Sequence, residues 1–368
     1  MFGSHSSCYL WAAARWVFVN KLRKGYTKLI LPATYNSSSP FFGSDILVTG
    51  GLGFIGSSLA RRLVALGAKV TLVDSLIPEY GGNPFNIQDI RDRVTVDLTD
   101  IRDAPAMASL IERRDFLFNL AGQTSHLDSM TDPLTDLNIN AAAQLSILEA
   151  CRLHNSGVKI IFASTRQLYG RPQYLPVDEK HPINPIDVNG INKLAGEWYH
   201  LLYNNVYKIR ACALRLTNTY GPGMRVKDGR QTFLGVWIRN LIEGKPIQVF
   251  GDGRQRRDFN FIDDVIEALL LTAAAPASEG GVFNLGHSEH ISLQELAALL
   301  VRLNGGGNYE LIAFPADRAA IDIGDYYGNF GKIDKALGWS PQVSLEDGLT
   351  RTLEYYRKHH AHYWDSTP

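Results

Sequence analysis

A chain of 368 residues that is 45% apolar and 20% charged has the length for about two domains and the composition of an ordinary soluble globular protein. Its 37 basic and 37 acidic residues cancel to zero formal charge, which excludes global recruitment by nucleic acid or an anionic membrane surface. Three cysteines, Cys8, Cys151 and Cys212, are odd in number and far apart, so no disulfide framework is expected and the reducing cytoplasm is the default compartment.

Residues 1–44 carry Arg15, Lys21, Arg23, Lys24 and Lys28 and no acid. Their apolar run, 8–19, is short and interrupted by Arg15, so it forms no transmembrane segment. The charges follow that run instead of preceding it, unlike a signal peptide. This stretch reads as a basic extension outside the fold. From Asp45 the pattern changes. Residues 46–48 form a short apolar run, read as a buried strand, and Gly50, Gly53 and Gly56 follow at G-x-x-G-x-x-G spacing. Apolar residues then recur at helical intervals from Ile55 through Leu59, Leu63 and Leu66, with Gly67 as the stop. A glycine turn that opens a helix through Phe54 and Ile55 brings backbone N–H groups close to a pyrophosphate. A second strand, 70–73, ends in Asp74, eighteen residues after Gly56. A carboxylate there accepts both hydroxyls of an adenosine ribose and repels a 2′-phosphate, so the cofactor predicted is NAD and not NADP.

The alternation continues. A third strand, 94–96, runs into Asp97 and Leu98, and a fourth, 116–120, opens into the polar stretch Ala121 to His126. Asp132 and Pro133 are a cap and first-turn pair for a helix that should run through Asn140, Leu145 and Leu148 to Gly157. A fifth strand, 158–163, ends in Ser164 and Thr165, and a sixth, 209–216, ends in Thr217 and Asn218. Strands alternating with helices predict an α/β Rossmann fold with a doubly wound parallel sheet, whose ligands sit beyond the carboxyl ends of the strands. After Pro222 the alternation fades into Gly, Pro and Arg clusters, notably at 251–258. The expected division is an NAD-binding domain over 45–220, with later strands returning near 247–287, and a smaller C-terminal α/β substrate-binding domain over 221–368.

Ordered motifs cover most of the chain: GGLGFIG at 50–56, NLAGQ at 119–123, STRQLYG at 164–170 and NGINKLAGE at 189–197. They continue with RLTNTYGPGMR at 215–225, GDGRQRRDFNFIDD at 251–264, FNLG at 283–286 and LGWSP at 337–341. Together these resemble the extended short-chain dehydrogenase/reductases, specifically the NAD-dependent sugar-nucleotide epimerases and dehydratases, from about Asp45 to His359. The resemblance implies NAD, a nucleotide-sugar substrate and a homodimer built on helices near 138–154 and 190–204, with Ala195, Trp198, Leu201 and Leu202 near the shared face. It implies that Asp97 and Leu98 flank the adenine, that Leu120, Ala121 and Gly122 pass the cofactor, and that Lys193 binds the nicotinamide ribose. It also implies that Thr165 holds the reacting hydroxyl and that Gln123, Thr124, Arg166, Gln167, Asn218 and Arg257 face the substrate, the last two at its diphosphate.

Two departures bear on mechanism. The family's Tyr-x-x-x-Lys pair retains its lysine as Lys193, but the tyrosine position is Asn189, and no other Tyr-x-x-x-Lys occurs. An amide donates and accepts hydrogen bonds but is no base near neutral pH. His126, Tyr169 or a water held by Asn189 and Thr165 are the alternatives, with Tyr169 expected to be packing. The dehydratases' Asp-Glu pair is replaced by Arg166 and Gln167, which argues against a standard 4,6-dehydratase. The ten histidines show no metal-ligand spacing. The sequence thus predicts a nucleotide-sugar epimerase with a reassigned base, its catalytic group Thr165, Lys193, Asn189 and His126. The alternatives are a lapsed NAD and nucleotide-sugar binding protein, or another lyase or oxidoreductase of the same family.

Overall fold

The computed structural model describes residues 39–364; the basic stretch before them, with Cys8, lies outside the described residues. Seven parallel strands form the main sheet: β1 (Asp45–Thr49), β2 (Lys69–Val73), β3 (Val94–Asp97), β4 (Phe116–Asn119), β5 (Lys159–Thr165), β6 (Arg210–Leu216) and β10 (Val282–Asn284), in the order β10-β6-β5-β4-β1-β2-β3. Ile46 stands opposite Val70 of β2 on one side and Phe116 of β4 on the other. The order of strands therefore reverses at β1, and the carboxyl ends of β1 and β4 part to leave a crevice.

β1 reads as a continuous apolar run because helices cover both faces of the sheet. Ile46 and Val48 point into one cluster with Leu59 and Leu63 of α1 (Phe54–Ala65), while Leu47 points into the other with Leu117 and Ile147. Cys151 and Cys212 are fully buried and unpaired, and burial pushes both thiols up to about 12. The described residues just before β1 belong to this packing: Phe41 is fully buried, its ring 5.3 Å from that of Phe116.

The helix expected to begin at Asp132 starts there, with the Asp132 side chain accepting from the Thr135 amide at 3.1 Å, but it is not uniform. It passes from a short α-helical segment (Pro133–Leu137) through a π turn (Asn138–Ala142) into a regular helix (Ala143–His154). Periodicity does not register such a turn, which inserts one residue without breaking the helix. The π turn meets Gly196 of the long helix Val188–Tyr207, where a Cβ would come 2.7 Å from the Asn140 carbonyl. Asp187 caps that long helix, accepting from the Gly190 amide at 2.6 Å.

Beyond β6 the chain forms two smaller sheets. β7 (Asn218–Tyr220) pairs in parallel with β9 (Arg256–Phe261), which pairs antiparallel with β11 (His290–Ser292). β8 (Ile247–Phe250) pairs with β12 (Tyr309–Ile312). These strands carry Asn218 and Arg257 to the mouth of the crevice. Among the described residues no helix is long and apolar enough to cross a membrane.

Candidate active site

A cavity of about 720 Å³ occupies the crevice, lined from the glycine turn and Asp74 at one end to Arg257, Phe314 and Arg318 at the other. At the first end the wall is backbone. Gly50 has φ of +67°, and a Cβ there would lie 3.1 Å from the Ala121 backbone; a Cβ on Gly56 would run into the Gly50 carbonyl. Only glycine permits this approach of turn, helix and strand end. The first turn of α1 has no side-chain cap and no acid, so its N–H groups remain for a ligand. Asp74 lines the cavity, accepting from the Leu76 amide with Oδ1 and the Leu52 amide with Oδ2, each at 3.0 Å. Burial raises its pKa, and the backbone donors oppose that rise.

Behind the cavity wall at Asn189 and Lys193 lies a side-chain network. Asp136, fully buried, takes the amide groups of Asn140 (3.1 Å) and Asn189 (3.0 Å) on Oδ2 and that of Asn192 (2.8 Å) on Oδ1. Asn189 Nδ2 also donates to the Gln123 carbonyl at 2.8 Å. Both partners are acceptors, so the NH₂ group must face them, and Oδ1 is what Asn189 can offer the cavity it lines. Lys193, one turn further along the helix, donates from Nζ to the Ala163 carbonyl at 2.9 Å. Desolvation lowers its pKa to about 8, with Asp136 acting in the opposite sense.

His126 also lines the cavity, with its side chain 38% exposed. Its Nδ1 lies 3.1 Å from Oδ2 of buried Asp187, within ion-pair range although off the hydrogen-bond line. The same Oδ2 accepts from Gln167 Nε2 at 2.7 Å. The carboxylate that caps the long helix thus also faces the histidine, and His126 is the first cause that lowers the Asp187 pKa against the effect of burial.

A model of the NAD dependent epimerase/dehydratase family matches residues 46–286. The chain belongs to that family. It is 33% identical over 320 residues to a putative UDP-glucose 4-epimerase of Methanocaldococcus jannaschii, covering 85% of this chain and 98% of the relative. It is similar to the solved UDP-glucose 4-epimerase of Thermotoga maritima with UDP-glucose, at 31% identity and a TM-score of 0.77 over 86% of this chain and 99% of the other. It is also similar to the dTDP-glucose 4,6-dehydratase DesIV of Streptomyces venezuelae, solved with NAD, at 26% identity and a TM-score of 0.80 over 87% and 99%.

As a member of the NAD dependent epimerase/dehydratase family the protein is an NAD-dependent sugar-nucleotide enzyme, and its site fits the cofactor. The glycine cradle and the uncapped α1 suit the pyrophosphate, and Asp74 suits an unphosphorylated ribose. Gly50, Gly53, Phe54, Ile55, Gly56, Asp74, Leu120, Ala121 and Gly122 line one continuous wall, with Lys193 beside it. Thr124, Thr165, Arg166, Gln167, Asn218 and Arg257 line the remainder. Three expected residues lie outside that lining. Asp97 turns its carboxylate to the Thr99 amide, Leu98 is 60% exposed, and Asp100 and Ile101 stand in the wall instead. Gln123 is buried, its Nε2 on the Ser125 carbonyl, and it contributes through its backbone oxygen. Tyr169 is fully buried, bound to Asn284 and Arg215, with burial raising its hydroxyl to about 12, so it does not serve as a base in the cavity.

Asp136 and Asp187 were missed from sequence. Asp187 had a signal, a helix-capping acid two residues before Asn189. Asp136 had none, because its role depends on amides from two different helices.

Proposed function

We propose that the protein is a nucleotide-sugar epimerase in which His126, oriented by Asp187, replaces the missing tyrosine as the acid–base group. The observation that carries this reading is the 3.1 Å approach of His126 to a buried carboxylate beside Asn189 and Thr165. A carboxylate facing Nδ1 favours the tautomer protonated there, which leaves Nε2 as the acceptor for a sugar hydroxyl proton. NAD, when bound, would supply the hydride acceptor and donor for the sugar carbon. Thr165 and the Oδ1 of Asn189 hold the reacting hydroxyl, His126 takes its proton and gives it back, and Lys193 adds positive charge at the nicotinamide ribose. Dehydration lacks its groups, since Arg166 is cationic and Gln167 is tied to Asp187.

Incubation with UDP-, dTDP-, CDP- and GDP-sugars in deuterated water, followed by NMR, tests the reading. An epimer that retains its carbon-bound hydrogen is expected. Solvent deuterium on a ring carbon, or no epimer from any sugar while NAD is bound, would sink it.

The same reading includes a homodimer. Ile191, Ala195, Trp198 and Leu202 recur every three or four residues along the long helix, and Trp198 is 55% exposed. An exposed apolar stripe of this kind suits a self-complementary helix pair. Light scattering at micromolar concentration is expected to give twice the chain mass; a monomer would refute the dimer.

A further inference from the structure

Arg166 begins the turn that follows β5, between Thr165 and the Gln167 that binds Asp187. Its Nη2 donates to Asn218 Oδ1 at 3.2 Å, and its guanidinium lies 4.9 Å over the Tyr326 ring. Nη1 is shielded from solvent and has no hydrogen-bond partner. Among the described residues no carboxylate oxygen comes within 4.0 Å of Arg166 in an ion pair.

The acids that face it at longer range, Asp258, Asp187 and Asp322, are already engaged. Asp258 accepts from Thr217 and the Gly328 amide, Asp187 from Gly190 and Gln167, and Asp322 from Gln255 and the Gly324 amide. A largely desolvated guanidinium without an anion is unfavourable, and burial lowers its pKa accordingly.

The other cations are placed differently. Arg257 donates to the Arg256 and Gly324 carbonyls and lies 3.8 Å from Asp322. Arg318 lines the same cavity and stacks on Phe250. Arg257 is a close neighbour, its charge and that of Arg166 opposing one another, but only Arg166 is flanked in sequence by Thr165, the group proposed to hold the reacting hydroxyl, and by Gln167.

We propose that Arg166 receives a carboxylate carried by the hexose itself, so that the substrate is a nucleotide-linked acidic sugar. The planar guanidinium, unpaired at Nη1 and held by Asn218 and Tyr326, matches a carboxylate in a way a lysine would not. This inference rests on the nucleotide-sugar reading above.

Calorimetry with UDP, UDP-glucose and UDP-glucuronate on the NAD-loaded protein, with the dTDP, CDP and GDP series in parallel, tests it. The glucuronate of the preferred nucleotide should bind on the order of 10- to 100-fold more tightly than the glucose form, the range of a charge-assisted hydrogen-bonded pair. Arg166→Gln should erase that preference and cost the bare nucleoside diphosphate less than it costs the glucuronate form, because Asn218 keeps its own bond to the Asp258 carbonyl. Retained NAD affinity in the variant shows that it is folded. Equal binding of the neutral and acidic sugars by the native protein overturns the inference. So does an equal loss for the nucleoside diphosphate and both sugars in the variant, which would make Arg166 a diphosphate ligand. If no nucleotide sugar binds at all, both this inference and the function on which it rests fall; if neutral sugars epimerise and bind as tightly as the acidic ones, only the inference does.

Discussion

The two ends of the cavity are built from different materials. At the dinucleotide end the contacts are backbone: a glycine turn that tolerates no Cβ at Gly56, an uncapped helix, and one carboxylate fixed by two amides. At the reaction end they are side chains that hold one another, with Asn140, Asn189 and Asn192 on Asp136, and His126 and Gln167 on Asp187. A backbone site is written in consecutive residues and survives as long as the spacing does. A side-chain network is assembled from distant segments, and changing one member alters what all the others must satisfy.

The sharpest way to break this contrast is His126→Ala. If the histidine is the acid–base group, turnover should fall by about 100-fold or more, while NAD affinity at the backbone-built end stays as it was. Steady-state kinetics with separate cofactor titration reads both. Full activity in the variant would remove histidine from the mechanism and leave a water between Asn189 and Thr165 as the base.

Asn189→Tyr comes next. Restoring the family's tyrosine should not create a working pair here, because it takes one amide donor from a buried carboxylate and puts a larger ring among Asp136, Gln123 and Ser129. Leaving Asp136 short of a donor should cost about 1–3 kcal/mol of stability, visible in thermal unfolding, together with reduced turnover. Activity gained by Asn189→Tyr in an otherwise inert protein would show instead that the reaction end has lapsed.

The same contrast explains what could be read without coordinates. Strand alternation, the glycine spacing and Asp74 were legible because each is local: β1 through β6 fall where the apolar runs place them, within a residue or two at their ends. The departures at Asn189, Arg166 and Gln167 were equally visible as residue types. Their consequences were not, because Asp136 reaches Asn189 across 53 residues, and His126 lies 61 residues before Asp187. The π turn escaped for a related reason, since Asn140 is held to the Gln123 carbonyl, 17 residues away, which helical periodicity cannot report.

Lys193 joins the two ends and gives the smallest predicted effect. Burial brings its pKa from the ordinary 10.5 to about 8. Between those values the unfolded chain binds a proton that the folded protein does not, so this residue's contribution to stability rises with pH across that window and is lost as pH falls through about 8. Its effect on the cofactor has the opposite sign. The cation that would hold the nicotinamide ribose is present below pH 8 and disappears above it, so NAD affinity should weaken as pH rises, by roughly 10-fold at one unit above the pKa if only the charged form binds. Lys193→Arg keeps its charge throughout and should flatten the profile, although its fork fits the space less well. Calorimetric titration with NAD from pH 7 to about 9.5, beside thermal unfolding of the cofactor-free protein, would show affinity and stability moving in opposite directions. A flat affinity profile in the native protein would mean that Lys193 is held by the Ala163 carbonyl for structure alone, and that the cofactor is bound by the backbone cradle without it.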